Sequence, residues 1–155
     1  MDRHGPHYAI SEQPIPAEDS KIFFSVDLGL TATEISRTVH RSGRGSGFVH
    51  AHRRNEEVYI VARGQGWLYI DGEEIPLREG SVVRVSCAGR RAIRAADDQA
   101  LVYYCIQAQA DSLEQSTFKD GYKLPDRASW MSGVGIGVPK AEETIDSDEW
   151  DRSHR

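Results

Sequence analysis

The chain has 155 residues, 39% of them hydrophobic and 28% charged, which is the make-up of one ordinary globular domain with a polar excess. With 24 acidic against 19 basic residues and a formal charge of -5, it lacks the basic surplus that phosphate neutralisation requires, so no nucleic-acid partner is expected. Two cysteines, Cys87 and Cys105, are too few for a disulfide scaffold and too far apart for a Cys-x-x-Cys motif, and both read as reduced structural thiols.

Met1-Asp2-Arg3-His4-Gly5-Pro6 has neither the basic stretch nor the apolar run of a secretory signal, and no segment is apolar for long enough to span a bilayer. A cytoplasmic protein with no membrane partner is the expectation. Residues 1–20, with Pro6, Pro14 and Pro16 among scattered charges, read as an extended N-terminal arm. From 21 to 108 the texture is that of a β domain. Short apolar or alternating runs, rich in β-branched and aromatic residues, predict strands at 22–26, 33–39, 47–52, 57–62, 66–70, 74–77, 82–85, 92–95 and 101–107. The sharpest local signal is Asp71-Gly72 between Trp67-Leu68-Tyr69-Ile70 and Glu73-Glu74-Ile75, which marks a tight hairpin. Strands this short and this regularly spaced, with no room for crossover helices, predict a sandwich or barrel of antiparallel sheets. Residues 109–155 form a C-terminal extension, with a helical turn predicted at 111–117 and an acidic tail holding Glu142, Glu143, Asp146, Asp148, Glu149 and Asp151.

The chemistry collects around two histidines. The six histidines are His4, His7, His40, His50, His52 and His154, so none lies between Arg53 and Ser153. His50 and His52, two apart in a predicted strand, would project from one face. Glu57 follows a polar break and opens the next strand, so a hairpin would return its carboxylate opposite the imidazoles. Two imidazoles and one carboxylate suit a divalent first-row metal and leave positions open for water or substrate. Such a metal polarises a substrate oxygen or activates a bound water. Tyr59 shares the parity of Glu57 and is read either as orienting a ligand or as aromatic core. On the last strand Tyr103, Cys105 and Gln107 share one face and Tyr104 and Ile106 the other. A buried Gln107 would need partners that a substrate could supply, and packing is the alternative. His40 reads as a surface histidine, with an approach to the rim of a pocket as the alternative, and Arg41, Arg44, Arg53 and Arg54 form a basic cluster around the first motif.

His50-Ala51-His52, four residues, Glu57, six residues and Gly64 resemble the first signature of the cupins, with its opening glycine at Gly43 or Gly45 in slightly altered spacing. The resemblance covers about residues 30–108 and implies a single barrel of two antiparallel sheets, the jelly-roll or double-stranded β-helix, with terminal extensions. The second cupin signature aligns from Gly80, but Ser86, Ala88, Arg91 and Ala95 stand where the family has proline, glycine, histidine and asparagine. The fourth metal ligand is therefore missing. Arginine has no lone pair to give a metal, so three outcomes stand open for Arg91: a fork for an anionic substrate group, a pair with Glu57 that leaves a vestigial site, or an outward orientation.

Among cupins the resemblance is to small mannose-6-phosphate-isomerase-like proteins. It implies a homodimer and a metal such as zinc, nickel, manganese or iron on His50, His52 and Glu57, and the candidates to touch a small, anionic ligand beside it are Arg91, Tyr59 and Gln107. Three functions stay open: sugar-phosphate isomerase chemistry, a binding or sensor module that has lost the metal and turnover, and an iron oxygenase. No catalytic base is assigned.

Overall fold

A computed structural model of the chain describes residues 3–116, 120–122, 124 and 128–131. The predicted acidic tail lies outside the described residues. The chain divides into two compact units, 1–112 and 113–155, so the arm belongs to the same unit as the barrel strands. In the second unit the described residues include one 3-10 turn, Ser129–Met131. No helix among the described residues is long and apolar enough to cross a membrane.

The first unit runs β1 (Arg3–Gly5), β2 (Tyr8–Ile10), β3 (Ser20–Phe23), α1 (Ser25–Leu28), β4 (Thr33–His40), β5 (Asn55–Ile70), β6 (Glu73–Arg78), β7 (Val82–Val85), β8 (Arg91–Ala95) and β9 (Leu101–Gln109). All pairings are antiparallel. β5 belongs to two sheets. Its first half lies between β9 and β7 in a five-stranded sheet, β3-β4-β9-β5-β7, and its second half lies between β6 and β8 in a three-stranded one. Buried between them is a core that includes Val61, Leu68, Leu77, Val85, Ile93 and Leu101.

The segments 57–62 and 66–70, read from the sequence as two strands, are thus one continuous strand. A register shift against β9 between Val61 and Arg63 inserts Ala62 as an extra residue. That insertion switches the inward parity. Before it Glu57, Tyr59 and Val61 are buried, and after it Gly66 and Leu68 are. Its glycines let neighbouring backbone approach here: a Cβ on Gly64 would lie 1.9 Å from the Ala100 carbonyl oxygen, and one on Gly66 2.1 Å from that of Arg94. The Asp-Gly hairpin forms as predicted, with Asp71 at φ 50° and Gly72 at φ 103°, the positive pair that matches strand twist.

Three local expectations are corrected. Residues 47–52 do not form a strand. Within them an isolated bridge joins His50 to Arg91, and a second, just before, joins Gly45 to Arg94, because the Gly-rich stretch meets β8 only at separate points. The strand predicted at 22–26 ends at Phe23, and residues 25–28 turn as α1, closed by Gly29 at φ 64°. Over 111–116 there is no helix, and Asp111 turns the chain at φ 60°. The arm is partly regular, since β1 and β2 pair as a hairpin. Farther along, Arg37, buried on β4, donates from Nη1 to Gln13 O at 2.7 Å and from Nη2 to Pro14 O at 2.6 Å.

Gly64 combines φ 87° with no room for a methyl group. Gly64→Ala is expected to lower stability by about 3 kcal/mol or more, whereas Gly72→Ala, strained but open to solvent, costs about 1 kcal/mol. Urea denaturation of the two variants checks this, and equal losses would contradict the close approach at the bulge.

Candidate metal and ligand site

The odd-numbered face of β5 places Glu57, 3% exposed, and Tyr59 inside the barrel. The same wall continues across the sheet onto β9, where Tyr103 and Cys105 line the cavity, and β4, where Thr38 and His40 do so, while Ala92 and Ile93 of β8 line it from the other sheet. The loop before β5 brings in the histidines. His50 N donates to Arg91 O at 3.0 Å, Arg91 N donates back to His50 O at 2.9 Å, and His52 N donates to Cys87 O at 2.9 Å. These bonds pin the loop to β8 and the turn before it. The two rings stand nearly perpendicular, at 84°, with centroids 5.3 Å apart. Even without a strand at 47–52, donor atoms of His50, His52 and Glu57 gather within 4.8 Å of one another. His50 Nδ1 and His52 Nε2 are buried with no aligned hydrogen-bond partner.

The two edges of the Glu57 carboxylate are used differently. Oε2 accepts from Tyr59 Oη at 2.7 Å and from Arg91 Nε at 2.8 Å. Arg91 Nη2 is also 2.7 Å from Oε2, a charge contact whose N–H bonds are not aimed along it. Oε1 faces His52 Nε2 at 3.1 Å, in contact but out of hydrogen-bond alignment, and accepts weakly from Cys105 Sγ at 3.4 Å. One edge is therefore tied to Arg91 and Tyr59, and the other looks toward the imidazoles.

Arg91 is 0% exposed. Its Nη1 donates to Gly89 O at 2.8 Å and contacts Cys87 O at 3.3 Å, while Nε serves Glu57. Of the three outcomes open for Arg91, the structure holds the pair with Glu57. The outward orientation is excluded, since Arg91 is fully buried; its Nε and Nη1 are taken by Glu57 and main-chain carbonyls, and it is not among the residues lining the cavity.

Burial works to raise the Glu57 carboxyl, but bonds from Tyr59 and Arg91 and the charges of Arg91 and His52 outweigh it and hold the group below its ordinary value. Burial lowers His50, and the adjacent Arg91 charge lowers it further, which favours a neutral imidazole. Tyr59 is raised by burial and by its bond to Glu57. The Cys105 thiol is pushed up to about 12, by burial first and then by the Glu57 charge, so it is an inert neighbour. Neither cysteine is in a disulfide.

A cavity of about 490 Å³ opens onto His50, Glu57 and Tyr59, and its wall also carries His40, Lys21 and Asp19. His40 is therefore not the surface residue the sequence suggested. It is half-buried, with Nε2 3.5 Å from Tyr103 Oη, and burial lowers its basicity. Gln107 is off the cavity wall and donates to Glu34 Oε1 at 3.0 Å, so a neighbouring strand supplies its partner. Lys21 escaped the sequence reading altogether, because nothing in a run such as Ser20-Lys21-Ile22-Phe23 says that an edge strand will close over a pocket.

Residues 38–107 match the family model of the cupin domain. A cupin protein from Bacteroides fragilis is 37% identical, with a TM-score of 0.69 over 77% of this chain and 99% of that one. The chain belongs to the cupin family. An RmlC-like cupin family protein with a double-stranded β-helix fold, from Methanocaldococcus jannaschii, superposes with a TM-score of 0.55 at 18% identity, covering 68% of this chain and 91% of that one, and supports the fold alone. A protein of Acidithiobacillus ferrooxidans, named as a candidate sugar phosphate isomerase, is 26% identical with a TM-score of 0.53 over 61% of this chain and 62% of that one. No curated protein matches the chain.

Removing the charge of Glu57 strands a buried guanidinium. Glu57→Gln is expected to cost metal-free protein about 3–5 kcal/mol near neutral pH, measured by urea denaturation. Because the folded-state carboxyl is depressed below 4.5, its contribution is complete above the unfolded value and disappears as pH falls through the folded one. The gap between wild type and variant should therefore close on acidification below about pH 4, and a gap that stays constant into that range would contradict the pairing.

Proposed function

We propose that this cupin binds a small, oxygen-rich molecule next to one divalent cation held by His50, His52 and the free edge of Glu57. The observation that carries the reading is the pair of buried imidazole nitrogens, His50 Nδ1 and His52 Nε2, left without an aligned hydrogen bond and gathered with a carboxylate oxygen at the edge of a cavity. Buried polar atoms are almost always satisfied, so two orphans converging on a carboxylate point to a missing cation. The N₂O donor set suits zinc, nickel, manganese or iron and leaves coordination positions for a ligand. When bound, such a cation supplies Lewis acidity toward a carbonyl or hydroxyl oxygen.

The chain's own residues do the rest. Arg91 and Tyr59 hold Oε2 and so keep Oε1 turned to the imidazoles, the part a metal-site carboxylate needs its neighbours to play. His40 stands on the cavity wall with its basicity lowered by burial, so it is neutral near pH 7 and able to accept or return a proton. A proton shuttle beside a polarised carbonyl is the requirement of aldose–ketose isomerisation, and this supports isomerase chemistry ahead of oxygenase chemistry. The likeness to the A. ferrooxidans protein supports it as well. A binding module without turnover is the second reading, favoured by one observation: Arg91 already neutralises Glu57 in the protein alone. A cytoplasmic homodimer belongs to the same proposal, and light scattering that returns twice the chain mass is its check.

Elemental analysis after dialysis against each of the four metals should find about one equivalent, and His50→Ala or His52→Ala should abolish it. Less than about a tenth of an equivalent with all four would overturn the metal reading. Protons compete for His50, whose basicity burial and Arg91 lower, so affinity should be steady above the ordinary imidazole value of about 6.5 and weaken only at more acid pH.

A further inference from the structure

The charges around the site do not balance once a cation is present. Glu57 is the sole anion among the three donors, and Arg91, fully buried and in contact at 2.7 and 2.8 Å, already cancels it. A divalent cation bound there would keep its full formal charge in a part of the barrel where charge is poorly screened. The other carboxylate on the cavity wall gives no relief. Asp19 accepts from the Arg41 backbone N at 2.7 Å and pairs with the side chains of Arg41 at 3.3 Å and Arg44 at 3.5 Å. Lys21 adds to the excess. It lines the same cavity, its ammonium lies 4.9 Å from the centre of the Phe23 ring, and among the described residues no carboxylate pairs with it.

We infer that the site takes up its cation together with an anionic oxygen ligand, a carboxylate or phosphate that fills the open coordination positions and faces Lys21, so that cation and anion bind cooperatively. The inference rests on the proposed metal site and specifies its ligand class. Arg91 acts here through its charge and not by touching the anion. By pairing with Glu57 it leaves a bound cation in need of a second negative partner. By linkage the dependence is reciprocal: the anion raises cation affinity by the factor by which the cation raises anion affinity.

The test is equilibrium dialysis of the full chain against Co²⁺, with free Co²⁺ measured outside the bag so that complexes in solution are discounted. The arms contain sodium oxalate, inorganic phosphate, or neutral glycerol. Cation affinity is expected to rise at least tenfold with oxalate or with phosphate and to stay unchanged with glycerol, and whichever anion gives the larger rise identifies the preferred group. Lys21→Met, at an exposed position, should shrink that rise several-fold. Arg91→Met, checked for folding by circular dichroism, should bind Co²⁺ more tightly without an anion and show a smaller rise. If Arg91→Met fails to fold, the wild-type arms and Lys21→Met decide the matter. Cobalt binding of equal affinity with and without both anions would overturn the inference and leave the metal site standing. No cobalt under any condition would remove both, and a rise undiminished in Lys21→Met would overturn the part given to Lys21.

Discussion

The buried ion pair between Arg91 and Glu57 organises the interior of this barrel. Glu57 belongs to the half of β5 in the five-stranded sheet, and Arg91 opens β8 in the three-stranded one, so their contact spans the two sheets from within. Desolvating a guanidinium and a carboxylate is costly, and the cost is offset only if nearly every donor and lone pair finds a partner. Here the carbonyls of Gly89 and Cys87 take Nη1, and the Tyr59 hydroxyl shares Oε2. A lysine could not do the same, since it has no planar fork with which to meet a carboxylate and two carbonyls together.

The same pair determines how the histidines are presented. The backbone of Arg91 exchanges hydrogen bonds with His50, so the residue that neutralises Glu57 also anchors the loop carrying the imidazoles. Structure and electrostatics are joined in one residue. Arg91 holds one carboxylate edge and adds to the effect of burial in lowering the basicity of His50, while the other carboxylate edge is left beside the two imidazoles. What distinguishes this cupin is therefore an internal cation where the family motif has a ligand. That substitution moves the demand for negative charge from the protein to whatever enters the cavity.

A second constraint sits in β5. The extra residue at Ala62 changes which side chains point inward, and it lets one strand serve both sheets without burying a charged residue in the wrong half. Odd positions before the bulge carry the site's polar groups, Glu57 and Tyr59. Even positions after it, such as Leu68, carry plain core. Chemistry and packing are thus divided along a single strand by one insertion and two close-packed glycines.

Much of this could be read from the chain itself. The Asp71-Gly72 hairpin, most of the strands and the grouping of His50, His52 and Glu57 follow from local rules, because turn preference, alternation and motif spacing act over a few residues. Other features had no local signal. Residues 47–52 alternate like a strand, yet they find only scattered partners on β8. Gln107 shares a strand face with Cys105, but Glu34 on the adjacent strand takes its amide. His40 and Lys21 enter the site because β3 and β4 pack along β9, and Arg91 turns inward because Glu57 waits there. Residue type and spacing are enough to carry the fold family and three candidate ligands, since both are written along the chain. The direction in which Arg91 points, and with it the charge of the site, was decided only by tertiary structure, because a buried charge goes where its partner is, and here that partner lies 34 residues away on another sheet.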